Sequence, residues 1–346
     1  MPTCKRPLTK TLLTFGLIAV FLVSCLSLTG CGDKKPGTEA NKPELLLGDM
    51  SWDSIQVHNR IAGFILEHGY GYPVDYRFGE SITLFQGLGN GDIQILMEAW
   101  VDNYGETYTK LLDEGKILNL GTNFADAPQG WYVPTYMIEG DPTRGIEPLT
   151  PELKSVQDLP KYWKVFQDPE YPNKGRFHNS TPGWACTEIN EEKFKAYGLN
   201  QYNIFSTGSD TAEQASMLSA YEKGEPWFGY YWEPTWIMGK LNMTRLEEPP
   251  YDENIWNTNR ACTYPSATVL ICVNRQLEET APEVLEFLRK YDTSLEQNNR
   301  TLAYMQEHND DKQAAALWFL KEYPDTWKSW VPAEVATKVE EALKKG

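Results

Sequence analysis

The sequence predicts an α/β protein of two lobes, each a mostly parallel sheet flanked by helices, with a ligand site in the cleft between them. Three observations carry this. At 346 residues the chain is long enough for about two domains. A strand-helix-strand-helix-strand pattern occurs twice, and such alternation marks a parallel sheet. Each occurrence holds two tryptophans 48 residues apart, Trp52 with Trp100 and Trp184 with Trp232.

The first 43 residues stand apart from this pattern. Lys5, Arg6 and Lys10 precede an apolar stretch from Leu12 to about Leu26, and Leu28-Thr29-Gly30-Cys31 follows. A charged start, a short apolar core and a small-residue cleavage site make residues 1–30 a secretory signal, short for a membrane span. Leu-Thr-Gly-Cys matches the bacterial lipobox. That match implies cleavage before Cys31 and acylation of its thiol and new amino group. Residues 31–43, polar and rich in Lys, Gly and Pro, read as a tether between lipid and domain. The protein is therefore expected outside the cytoplasmic membrane, held to it by lipid. Loss of the signal removes three cations and no anions, which moves the formal charge from −16 to −19.

Lobe 1 is read as 44–133. Glu44–Met50 is a short apolar strand. Ser51 to Ser54 offer N-cap residues, and Ile55, Ala62, Ile65 and Leu66 recur at helical spacing up to Gly69. Val74–Phe78 alternates as a strand, Ser81 opens a second helix ended by Gly89-Asn90-Gly91, and Asp92–Met97 is the third strand. Trp131 to Pro134 reads as the crossing into lobe 2, assigned 134–265. There Gly175–His178, Asn203–Ser206 and Trp227–Tyr231 read as strands. A helix runs from Thr181-Pro182-Gly183-Trp184 to about Tyr197, and another from Thr211 to Gly224. Residues 266–346 return to lobe 1, beginning with the buried strand Ala267–Val273. Helices follow around Pro282–Tyr291, Leu302–Met305, Ala314–Leu320 and Ala333–Leu343.

Composition excludes several functions. An excess of 48 acidic over 32 basic residues argues against a nucleic-acid partner. Four histidines without ligand spacing argue against a metal site, and no cofactor motif is present. Gly87, Gly89 and Gly91 mimic part of a dinucleotide fingerprint but lie between a helix and the next strand, the wrong order. An enzyme is not expected. Of the cysteines that would survive processing, Cys272 sits in a buried strand. An oxidising compartment then favours a Cys186–Cys262 disulfide.

Twelve tryptophans are the compositional excess. In open α/β sheets ligands bind at the carboxyl ends of strands, and Trp52, Trp100, Trp184 and Trp232 all fall there. Tryptophan is the best ring for holding a cation, worth about 0.5–1 kcal/mol when exposed and about 2 or more when desolvated. A quaternary ammonium cannot donate N–H bonds, so a box of rings suits it. The other eight tryptophans are assigned to core or rim packing. The helix start at Gly183 adds an anion site. There the amides around Gly183, Ala185 and Cys186 are candidates to hold a ligand carboxylate.

Several motifs now resemble the substrate-binding proteins of glycine betaine, proline betaine and choline ABC importers. They are Gly91-Asp92-Ile93 with Trp100, Trp131-Tyr132-Val133-Pro134, Pro182-Gly183-Trp184-Ala185-Cys186, and Tyr231-Trp232-Glu233-Pro234. The resemblance spans roughly Glu44 to Trp330. It implies a periplasmic-binding-protein-like fold of type II, and a permease and ATPase as partners. It also implies delivery of a quaternary ammonium solute by a monomeric receptor. Carried over, Trp100, Trp184 and Trp232 match the aromatic cage, and Trp52 matches the early tryptophan of choline-binding members. Choline binders place an aspartate two residues after that tryptophan. Here Ser54 stands there and Asp53 is one residue off. No histidine follows Trp100 or Trp232, as in some betaine binders, although His178 precedes the Trp184 loop. Rival readings are a sugar- or other small-solute-binding lipoprotein and a compatible-solute sensor.

Overall fold

The computed structural model describes residues 42–345, Ser266 excepted. The signal segment, Cys31 and the tether up to residue 41 lie outside the described residues.

Among the described residues, ten strands form two five-stranded sheets: β1 (Leu45–Asp49), β2 (Val74–Phe78), β3 (Ile95–Ala99), β4 (Ile117–Ala127), β5 (Gln129–Pro134), β6 (Gly175–Asn179), β7 (Tyr202–Ser206), β8 (Gly229–Trp232), β9 (Met243–Arg245) and β10 (Ala267–Asn274). The first sheet runs β2-β1-β3-β10-β4 and the second β7-β6-β8-β5-β9. In the first, β1 is parallel to β2 and β3, whereas β10 is antiparallel to β3 and β4. In the second, β6 is parallel to β7 and β8, whereas β5 is antiparallel to β8 and β9. The two sheets thus share one plan. In each, the strand arriving from the other lobe lies antiparallel beside the third parallel strand.

That plan moves one boundary. β5 pairs with β8 in the register Trp131↔Tyr230, so Trp131 to Pro134 belongs to the second sheet. Trp131 is fully buried against Phe177 and Phe228. The crossing lies at Pro128, between β4 and β5, not at residue 133. An apolar run gave no sign of which sheet it joins. The chain re-enters the first sheet at Ala267.

Local chemistry sets the elements. β3 (ILMEA) is buried on both faces, as a central strand must be. The helix Asp53–Phe64 buries Ile55, Val57, Ile61 and Ala62, then widens into a π-turn over Ile65–Tyr70 that Gly71 ends at φ +78°. In lobe 2 the helix Asp210–Lys223 is capped by Ser209, whose side chain accepts from the Ala212 amide, and Gly224 stops it.

Two hydrophobic cores result. One lies behind the first sheet. It joins Leu45, Leu47 and Ile61 to Phe319, Trp327 and Trp330 of the C-terminal helices. The other begins on the opposite side of that sheet and runs into lobe 2. It includes Trp52, Trp100, Trp184 and Trp232. Trp131, Trp227, Trp256, Trp327 and Trp330 are buried packing residues; Trp163, Trp236 and Trp318 are partly exposed.

The expected Cys186–Cys262 disulfide is not formed. Cys186, Cys262 and Cys272 are free and buried. The Cys186 thiol faces the Ser180 hydroxyl at 3.3 Å, and the Cys262 thiol faces the Asp252 carbonyl at 3.8 Å. Each thiol has its own oxygen acceptor and points into its own part of the core.

Candidate functional site

Each of the four strand-end tryptophans is placed by an element end. Trp52 follows β1 as the N-cap of the helix Asp53–Phe64, and Trp184 holds the same position before the helix Ala185–Ala196. Their backbones are extended, at φ −106°, ψ 155° and φ −81°, ψ 146°. Trp100 follows β3 directly and Trp232 is the last residue of β8. The repeated sequence pattern thus puts two rings from each lobe around one pocket, lined also by Ser81, Asn103, Tyr104, Cys186 and Tyr230. No basic side chain is among the lining residues.

Trp184 is the hub. Its ring meets Trp52 edge-on at 5.0 Å and 76°, and Trp232 at 5.0 Å and 79°. Perpendicular rings present both faces and edges to a common space, the arrangement that aromatic quadrupoles favour. Tyr230 and Tyr231 buttress Trp232 at 6.1 and 4.6 Å. All four indoles are at most 7% exposed, so a cation held here would be largely desolvated.

Beneath the lobe-1 rings lies a residue that the sequence reading missed. Glu98, in β3, is fully buried. Its Oε2 accepts from Trp52 Nε1 (2.8 Å), Ser54 Oγ (3.1 Å) and Trp100 Nε1 (3.5 Å). Among the described residues its Oε1 has no hydrogen-bond partner, and it lies 3.8 Å from His58 Nε2. Burial pushes the Glu98 carboxyl up to about 7, against the three hydrogen bonds, which favour the carboxylate. Burial also holds His58 down to about 3, so the imidazole is neutral and its Nδ1 pairs with the Tyr291 hydroxyl at 2.7 Å. The visible sign was a single acid inside the apolar run Leu96-Met97-Glu98-Ala99-Trp100.

The lobes meet along a seam beside the pocket. The amide of Ile82 donates to the Gly183 carbonyl at 3.3 Å. Trp184 Nε1 donates to Ser51 Oγ at 3.0 Å, and Ser51 Oγ donates to Glu80 Oε2 at 3.1 Å. Gly183 has φ +95°, and a side chain there would come within 2.9 Å of Glu80 Cβ. Both facts require glycine.

This seam changes the expected anion site. The Ala185 amide donates to Ser81 Oγ at 3.1 Å, and the Trp184 amide donates to the Thr181 carbonyl at 3.2 Å. Of the helix-start amides, that of Ala185 is thus committed across the lobes and that of Trp184 closes a turn of its own loop. Asp53 does not enter the pocket: it pairs with Lys312 at 3.2 Å and accepts from Gln214 of lobe 2 at 3.4 Å. His178 stacks on Trp227 at 5.3 Å and is not among the residues lining the pocket.

Comparison with known proteins agrees with this geometry. Residues 43–322 match the family model described as the substrate binding domain of ABC-type glycine betaine transport systems. A trimethylamine N-oxide-binding protein of Pelagibacter ubique (strain HTCC1062) is 22% identical over 315 residues, 90% of this chain and 96% of that protein. The glycine betaine/proline betaine-binding periplasmic protein of Escherichia coli (strain K12) is 22% identical, covering 77% of this chain and 80% of that one. Among solved structures, a choline-binding ABC-transporter protein in complex with choline superposes with a TM-score of 0.72 at 19% identity, covering 87% of this chain and 98% of that one. A glycine betaine, L-proline transporter binding protein from Borrelia burgdorferi gives 0.70 at 18% identity, with 86% and 99% covered. These structures share the two-lobed fold. The chain belongs to the family of substrate-binding domains of ABC-type glycine betaine transport systems.

Proposed function

We propose that this protein is an extracytoplasmic receptor, anchored by lipid at Cys31, that closes its two lobes on a methylated ammonium solute and presents it to an ABC permease. The observation that carries the reading is the box itself. Trp52 and Trp100 from one lobe and Trp184 and Trp232 from the other converge on one buried pocket with no basic lining residue. Several rings could each contribute about 0.5–2 kcal/mol toward a desolvated cation. Ordering and association costs are subtracted from that sum. A sugar would instead need many polar groups to satisfy its hydroxyls.

The solute class includes glycine betaine, proline betaine, choline and trimethylamine N-oxide. Commitment of the Ala185 amide to Ser81 favours members without a carboxylate. We assign the protein no catalytic step and no cofactor. The test is a calorimetric panel of these four compounds, carnitine and a set of sugars. The expected result is micromolar binding of at least one methylated ammonium compound and no sugar. Sugar binding with none of the ammonium compounds would sink the reading.

A further inference from the structure

The pocket's most unusual neighbour is Glu98. A buried carboxylate usually has its lone pairs satisfied or a cation beside it. Here three donors converge on Oε2, while Oε1 has no partner. Two of the donors are the indole N–H groups of the lobe-1 box rings. The third is Ser54, the position where choline binders are expected to carry an aspartate.

We propose that Glu98 is the positioning residue and buried counter-charge of the box: it pins the Trp52 and Trp100 indoles through their N–H groups and becomes a full carboxylate when a cation is bound. The inference rests on the proposed ammonium ligand and deepens it. An anion accepting from an indole N–H fixes the ring and pushes electron density toward its face. The same anion supplies the negative charge that the pocket lining lacks.

Neighbouring groups leave Glu98 free to act alone near neutral pH. From the helix Asp53–Phe64, His58 faces it and is held neutral by burial, down to about 3. Tyr104, in the helix Val101–Tyr104, and Tyr291, after the helix Pro282–Leu288, are both raised by burial, with the Glu98 charge adding to it. Cys272, on the adjacent strand β10, is pushed up to about 12. None of these changes charge between pH 6 and 8. The Glu98 carboxyl, at about 7, does.

A sign follows. A permanent cation against the box favours the carboxylate over the acid, so binding lowers the Glu98 pKa and releases a proton. Affinity therefore rises as pH climbs through the neutral range and levels off above it.

The test uses choline and glycine betaine, neither of which titrates between pH 6 and 8.5. Wild type and Glu98→Gln are titrated calorimetrically across that range, in two buffers of different ionisation enthalpy. For wild type we expect about tenfold tighter binding at pH 8 than at pH 6, with net proton release near pH 6.5. Glu98→Gln keeps an acceptor for Trp52 but no charge. It should bind at least tenfold more weakly at pH 8, with a flat profile. A wild-type protein that binds with a flat profile and no proton release overturns the role of Glu98 while leaving the ligand reading intact. So does a variant that matches wild type in both affinity and profile. A wild-type protein that binds neither compound nor any other methylated ammonium removes the ligand reading, and this inference with it. Should the variant fail to fold, the wild-type proton count still decides.

Discussion

At the scale of single residues, the indoles differ in what they touch. Trp184 meets Trp52 and Trp232 edge-on and also donates to Ser51 across the seam. Trp232 meets Trp184 and is backed by Tyr230 and Tyr231. Trp184→Ala should therefore cost more than Trp232→Ala: affinity for the tightest-binding ammonium compound falls about 100-fold for the first and at least tenfold for the second, read by calorimetry. Unchanged affinity would remove that ring from the box. The four rings were legible in the sequence because tryptophan is rare and because each falls at a strand end, where the topology gives position a meaning. Glu98 was not. A lone acid in an apolar strand names no partner until the fold brings Trp52, Ser54 and Trp100 to it.

At the scale of elements, the parallel strands and their helices followed from periodicity. β2 and the helix Ala333–Leu343 have the limits expected, because alternation, capping and glycine stops are local signals. The antiparallel partners were harder. The Trp131–Pro134 run is apolar whichever sheet it joins, and only pairing with β8 places it. The loop at Gly183 was read as an anion cradle, since a free helix start is one. Its Ala185 amide instead donates to Ser81 of lobe 1, which a sequence without tertiary contacts cannot reveal. This sets an expectation for Gly183→Ala. The substitution places a Cβ at φ +95° against Glu80 and hinders approach of the two lobes. Stability should fall by about 1 kcal/mol, and affinity at least tenfold. Thermal unfolding and calorimetry on the same sample check the pair. An affinity equal to wild type would mean that the seam at Gly183 is not part of the binding-competent state.

At the scale of the whole molecule, the second core runs from lobe 1 into lobe 2 and includes the box. The first core is built from lobe 1 and its C-terminal helices, with Trp236 of lobe 2 packed against it. A ligand set among the four rings would fill a space between the two lobes, as in hinge closure around a solute. The overall acidity, −16 for the full chain, suits solubility and adds at most a weak long-range pull on a cation. Binding strength must come from the site itself.

In the proposed box the rings recognise charge rather than shape. This is tested most directly by comparing choline with 3,3-dimethyl-1-butanol, its neutral isostere in which carbon replaces the quaternary nitrogen. Both fill the same volume and expose the same methyl groups. If cation–π attraction and the Glu98 charge hold the ligand, choline binds about 100-fold or more tightly, a difference of about 2.7 kcal/mol. Equal affinities for the two would rule out recognition by charge and leave the pocket an ordinary apolar one.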